Sequence, residues 1–336
     1  MARGSAIAAV VAAMLATSAV AGAATVDRAR GARGAAAADH RAEAQALDDL
    51  LERSGLRVQL ESLTAGIRAQ FVRAHRRQSG QAQITINRIV AEHFVADGLY
   101  TKIRLEFLTS LEPARLEQAL AWYDSPLGRR IIGQELAALV AAGGPEAVAN
   151  LERNRPSSRR LELIDRLDTG GGASETTVDV TVAIVRSLTV AFQPGLPAVA
   201  KLSRAQLDKQ IAQARNRTLE DMQRLCRVTM LLAYRDLTDD ELEQYVQFVE
   251  SDPGQWYINL MNSALLNAVG AAADATAAEL APRCRRRWAT SARRAHRAAR
   301  PAPRGARRPL RACERGSSRR RIPRTRTCRP NRSRSR

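Results

Sequence analysis

The segment Leu111–Gly144 slides without a gap onto Leu237–Gly270, 126 positions later, with 11 identities in 34 positions. Both segments carry apolar residues at helical spacing, and both bend at the same place. In the first, Leu116, Leu120 and Tyr123 share a helical face with Trp122 beside them. Ser125-Pro126 then closes that helix and opens one carrying Ile131, Ile132, Leu136 and Leu139. In the second, Thr238 to Glu241 forms a capping box, Phe248 matches Trp122, and Ser251, Pro253 and Gly254 mark the bend. Serine can cap the new helix, proline suits its first turn, and glycine lets two helices approach closely. Ala and Leu are abundant, so some identities are compositional. The clustered Leu-Glu-Gln and Ser-x-x-Gly matches are not, and they read as an internal duplication.

The rest of the chain follows the helical period. Leu47, Leu50, Leu51, Leu56, Leu60, Leu63 and Ile67 form one stripe, broken at Ser54-Gly55. Ile84 to Phe107 is a further long helical stretch. Val178 to Phe192 is rich in β-branched residues, yet it is too long for an ordinary strand and has helical neighbours. Hydrophobic content is 45% but aromatic content only 4%, which favours helices packed through Ala and Leu. The predicted fold is all-α, with two tandem related helical-bundle units. Residues 47–152 form the first and 161–281 the second, joined by a linker at 153–160. A signal peptide over 1–23 and a flexible lead-in over 24–46 precede them, Gly170–Gly172 is a loop, and a disordered Arg-rich tail fills 282–336.

Trp122-Tyr-Asp-Ser-Pro-Leu-Gly128-Arg-Arg resembles the aromatic-Tyr-x-Ser-Pro-x-Gly-basic-basic signature of bacterial domain-of-unknown-function family 2059. The first segment matches from about residue 47 to 150. The second, over about 161–275, departs with Val249 for Tyr, Asp252-Pro253 for Pro-x and Gln255-Trp256 for the basic pair. The resemblance implies a secreted or periplasmic helical protein, and it brings no catalytic residues. Trp122, Tyr123, Ser125, Pro126 and Gly128, with Phe248, Ser251, Pro253 and Gly254, are therefore expected to build structural corners.

Charge is segregated. The chain carries +19 overall, but residues 283–336 hold 22 Arg against one acid, Glu314, leaving 31 basic and 33 acidic residues for the body. At the other end, Arg3, the apolar run Ala6–Ala21 and the small residues Ala21-Gly22-Ala23 have the layout of a cleaved export signal. The expected location is periplasmic or secreted, with no transmembrane segment after cleavage. Export steers the chain away from nucleic acid. A peripheral anionic surface could take the tail, while the abrupt loss of acids after Ala281 also fits a frame-shifted gene end.

The chain has no Gly-x-Ser-x-Gly, no phosphate-binding Gly-x-x-x-x-Gly-Lys and no His-Glu-x-x-His. His93 with Asp97 four residues on is the nearest approach to a metal site, and two side chains fall short of the three or four ligands a metal needs. Cys226 sits among Leu225, Val228, Met230 and Leu231, as a core thiol would. The expectation is a non-enzymatic interaction module of the cell envelope. It uses no cofactor, and its partner is an unidentified protein or envelope component. The alternative is a polyanion or anionic-membrane-surface binder acting through the Arg-rich tail.

Overall fold

The computed structural model describes residues 32–74, 80–140, 146, 149, 151, 153–193 and 201–298, with side chains for most of those between 39 and 283. Among the described residues all regular structure is helical. The first part holds α1 (Ala32–Arg53), α2 (Leu56–Ala74), α3 (Gly80–His93), α4 (Ala96–Thr109), α5 (Pro113–Tyr123) and α6 (Pro126–Val140). The second holds α7 (Ser158–Gly171), α8 (Ala173–Phe192), α9 (Arg204–Ala233), α10 (Asp239–Val249) and α11 (Asp252–Ala298).

Local chemistry sets most of these boundaries. Ser157 accepts a hydrogen bond from the Arg160 amide and starts α7. Complete capping boxes, Ser203 with Gln206 and Thr238 with Glu241, start α9 and α10. Pro113 and Pro126 stand at the heads of α5 and α6, where a missing amide costs nothing. The break at Ser54-Gly55 falls where expected, with Gly55 at φ +71°.

Four expected boundaries move. The lead-in over 24–46 is helical from Ala32, because an Ala-rich run is a strong helix former even without caps. Gly170–Gly172 is no loop: α7 continues to Gly171, and Gly172 alone turns the chain at φ +64°, a left-handed conformation that costs other residues about 1–2 kcal/mol. The stretch from Ile84 to Phe107 divides at Phe94-Val95 into α3 and α4. The last helix runs on past 281, through Pro282, to Ala298. Residues 1–23 and 299–336, which include the expected signal peptide and most of the tail, lie outside the described residues.

The two expected units share one core. The described residues up to Thr290 belong to a single compact unit. Its buried cluster runs without a break from Leu47, Leu60 and Phe94 through Trp122 and Ile131 to Leu163, Tyr245, Leu265 and Ala273. Within it, α5 packs on α1, and α10 packs on α7. Each of these pairs is tied by an arginine reaching the acid that ends the short helix: Arg53 to Asp124 and Arg166 to Glu250. Such half-exposed pairs add at most about 1 kcal/mol each and serve mainly to fix orientation.

A shared core should unfold as one. Thermal unfolding followed by tryptophan fluorescence and by far-ultraviolet circular dichroism is expected to give one coincident transition. Two separated transitions would mean that each part holds its own core.

Candidate functional site

Each helix corner is assembled from its own backbone and one serine. At the first, the Ser125 amide donates to the Trp122 carbonyl (2.8 Å), and the Ser125 Oγ accepts from the Gly128 amide (2.9 Å). At the second, the Ser251 amide donates to the Phe248 carbonyl (2.9 Å), and the Ser251 Oγ accepts from the Gly254 amide (3.3 Å). The helix bounds match at the same spacing as the sequences: Pro113–Tyr123 and Asp239–Val249 are both 11 residues long. Pro126 is exposed at its helix head, whereas Pro253 and Gly254 are buried.

Gly128 is irreplaceable in this geometry. A Cβ there would lie 2.2 Å from the Trp122 carbonyl oxygen and 2.4 Å from its ring, so the helix can cross the tryptophan only without a side chain. The tryptophan's bulk and the glycine's absence of bulk are thus one feature.

Trp122 belongs to a continuous run of aromatic rings. Trp256 meets Phe107 at 6.0 Å, Phe107 meets Tyr257 at 5.7 Å, and Tyr257 meets Tyr123 at 5.6 Å. Tyr123 leads to Trp122 (6.1 Å), which stacks on Phe248 (5.6 Å) and Tyr245 (5.9 Å), and Tyr245 meets Tyr234 at 5.5 Å. These centroid spacings suit tilted and edge-to-face ring pairs, which contribute beyond their burial. Trp122 and Phe248, at corresponding positions of the two segments, touch each other, as matched positions do across a twofold axis.

The run ends on a carboxyl that the sequence reading missed. Glu135 of α6 is 2% exposed, and its Oε1 accepts from the hydroxyls of Tyr234 (2.6 Å) and Tyr245 (2.8 Å). Its Oε2 finds no donor. Burial pushes the Glu135 carboxyl well above the usual range, and the two tyrosine bonds pull it back only in part. A signal was present: Glu135 falls on the apolar face of α6, four residues after Ile131, and aligns with Met261.

Elsewhere the expected pairings change. His93 does not face Asp97. Its Nε2 lies 3.2 Å from Glu279 on α11, and Asp97 takes a bond from Arg57 (2.9 Å). The break at Phe94-Val95 separates the two residues that an unbroken helix would have aligned. Cys226 is fully buried, and burial pushes its thiol up to about 12. Among the described residues no three His, Cys, Asp or Glu gather in metal-binding geometry. No described helix is long and apolar enough to cross a membrane.

An open groove of about 710 Å³ runs along α7 at the second corner. Leu161, Thr169 and Gly170 line it together with Glu162, Asp165, Arg166 and Glu250. Arg166 donates to Glu250 (2.7 Å) and holds that carboxyl below its ordinary range. Asp165 takes a paired bond from Arg227. The polar side is thus pre-set by ion pairs.

Compared with known protein families, with curated proteins and with solved structures, the chain matches none.

Two substitutions separate the corner's need for glycine from general helix effects. Gly128→Ala is expected to lose about 1–3 kcal/mol through overpacking against Trp122. Gly133→Ala, five residues along the same helix with open space around it, is expected to be neutral or to gain up to about 1 kcal/mol. Urea unfolding of both variants checks this.

Proposed function

We propose that the chain is an exported, non-enzymatic helical module, built from a duplicated unit, that binds a protein partner of the cell envelope. The observation that carries this reading is the groove along α7. It is open, its floor is apolar, and its polar side is held in place by the Arg166–Glu250 and Asp165–Arg227 pairs. A partner helix could lay an apolar face there, with a basic side chain of its own to meet the exposed Glu162 on the groove's rim. The export layout of residues 1–23 and the resemblance of the first corner to domain-of-unknown-function family 2059 support an envelope setting.

The test places a photo-crosslinking residue at Thr169, in the groove, and as a control at Gln210, on the exposed side of α9. The expected outcome in the native envelope is one defined adduct from position 169, competed away by excess unmodified chain, and none from 210. Equal capture at both positions, or none at either, would count against the groove.

A second reading has its own observation, the 22 Arg confined to residues 283–336. In it the tail holds the protein to a polyanion or an anionic membrane surface. Binding of the full chain to anionic vesicles should then weaken steeply between 50 and 200 mM salt, as charge-driven association does. Binding indifferent to salt would remove this reading.

A further inference from the structure

Among the described residues Glu135 is the only carboxyl or basic group that is buried, and its two hydrogen bonds cross from the first part of the molecule to the second. We propose that Glu135 makes this joint sensitive to pH, holding it closed while the carboxyl carries its proton and loosening it when the proton leaves. The proposal is independent of the groove, since nothing in it requires a partner.

The geometry supplies the reason. Glu135 stands on α6, and both its partners come from the other part: Tyr234 caps the end of α9, and Tyr245 lies on α10. The remaining titratable groups around it are Tyr123 on α5 and Tyr257 on α11, which meet edge to face. All four neighbours are phenols that burial keeps neutral. The Arg160 guanidinium, which reaches the backbone of Tyr234, is taken by the carbonyls of Tyr234 (2.5 Å) and Leu237 (3.0 Å) and by Asp239 (2.7 Å). No cation is therefore among the partners of Glu135, and an ionised carboxylate would face two donors on one oxygen and none on the other. A buried charge so poorly solvated is strongly disfavoured against its neutral form.

Packing alone does not demand a carboxyl at this place. The corresponding position in the second segment is Met261, 1% exposed, an apolar side chain of similar length. The site could be greasy, yet it carries a titratable group tied to two residues across the joint.

The direction of the effect follows from the raised folded-state value. Folded Glu135 keeps its proton at pH values where the unfolded chain has already lost it. Its contribution is thus fully present below the unfolded value of about 4.3 and is lost as pH rises toward the folded one. Asp168, partly buried beside Ser174, is shifted the same way and adds a slope of its own, so the test compares variants that leave Asp168 in place.

The experiment uses the full chain with Glu135→Gln and Glu135→Met, followed by thermal unfolding from pH 4 to pH 8 and by amide exchange in α10. Expected is a Tm gap between each variant and the parent that is constant up to about pH 4.3 and then moves by about 2–4 °C per pH unit in the variant's favour. Exchange around Tyr245 should accelerate with pH more in the parent than in Glu135→Gln. A gap that does not change with pH overturns the proposal. So does failure of both variants to fold, which would make the carboxyl a packing requirement; if one folds, its gap suffices.

Discussion

Trp122 and Phe248 meet ring to ring at 5.6 Å, and the two parts of the molecule are joined around that contact. The chain has 13 aromatic residues, and eight of them form the single run from Trp256 to Tyr234. A core otherwise made of Leu, Ile, Val and Ala gains most per residue where large rings are buried together. The corners follow from this. Trp122 can lie flat under the next helix only because Gly128 has no side chain, and the serine caps let the chain turn in the two residues between one helix and the next. Moving the tryptophan would leave the glycine and the serine without a purpose.

Correspondence between the parts extends beyond the segments that align without a gap. Gly55 and Gly172, both with positive φ, follow α1 and α7, and each lies against the inner face of the helix beyond its own corner. The side chain nearest Gly55 is Leu136, and the one nearest Gly172 is Asn262, which are matched positions. Asn262 adds a bond to the Gly171 carbonyl (3.0 Å) that a leucine cannot make. The first turns of α5 and α10 show the same place served with opposite charge. Arg115 pairs with Asp252 at the head of α11, and Glu241 pairs with Arg130, five residues into α6. Geometry is shared while chemistry diverges, and Glu135 against Met261 is the buried case of that divergence.

The helical class and both corners were legible in the sequence because they rest on local rules: the 3.6-residue period, serine and proline at helix heads, and glycine at a break. Gly172 was legible as a breaker, but its company with Gly170 and Gly171 suggested a loop where a one-residue joint suffices. The pairing of His93 with Asp97 failed for a related reason, since the break at Phe94-Val95 has neither glycine nor proline to announce it. The merging of two helical units into one core could not be read from periodicity, which says that a face is buried but not what buries it. Glu135 is the sharpest instance. Its place on an apolar face was visible, whereas its partners Tyr234 and Tyr245 lie 99 and 110 residues away.

The ion pairs describe a body whose charges cancel close to home. Arg104 meets Asp48, Arg215 meets Asp179, Arg227 meets Asp165 and Arg160 meets Asp239, each between helices distant in sequence. Guanidinium forks suit this, since two parallel bonds to one carboxylate fix an angle as well as a distance. Each pair stabilises little, and the residues before 283 carry 31 basic against 33 acidic side chains, close to neutral in sum. The net charge of the molecule therefore belongs to residues 283–336, so the two proposed modes of binding differ in range as well as in place. The groove along α7 would act only at contact, through apolar area and pre-oriented polar atoms. The arginine-rich segment would act at a Debye length, about 8 Å in physiological salt, and bring the body to an anionic surface without selecting anything on it.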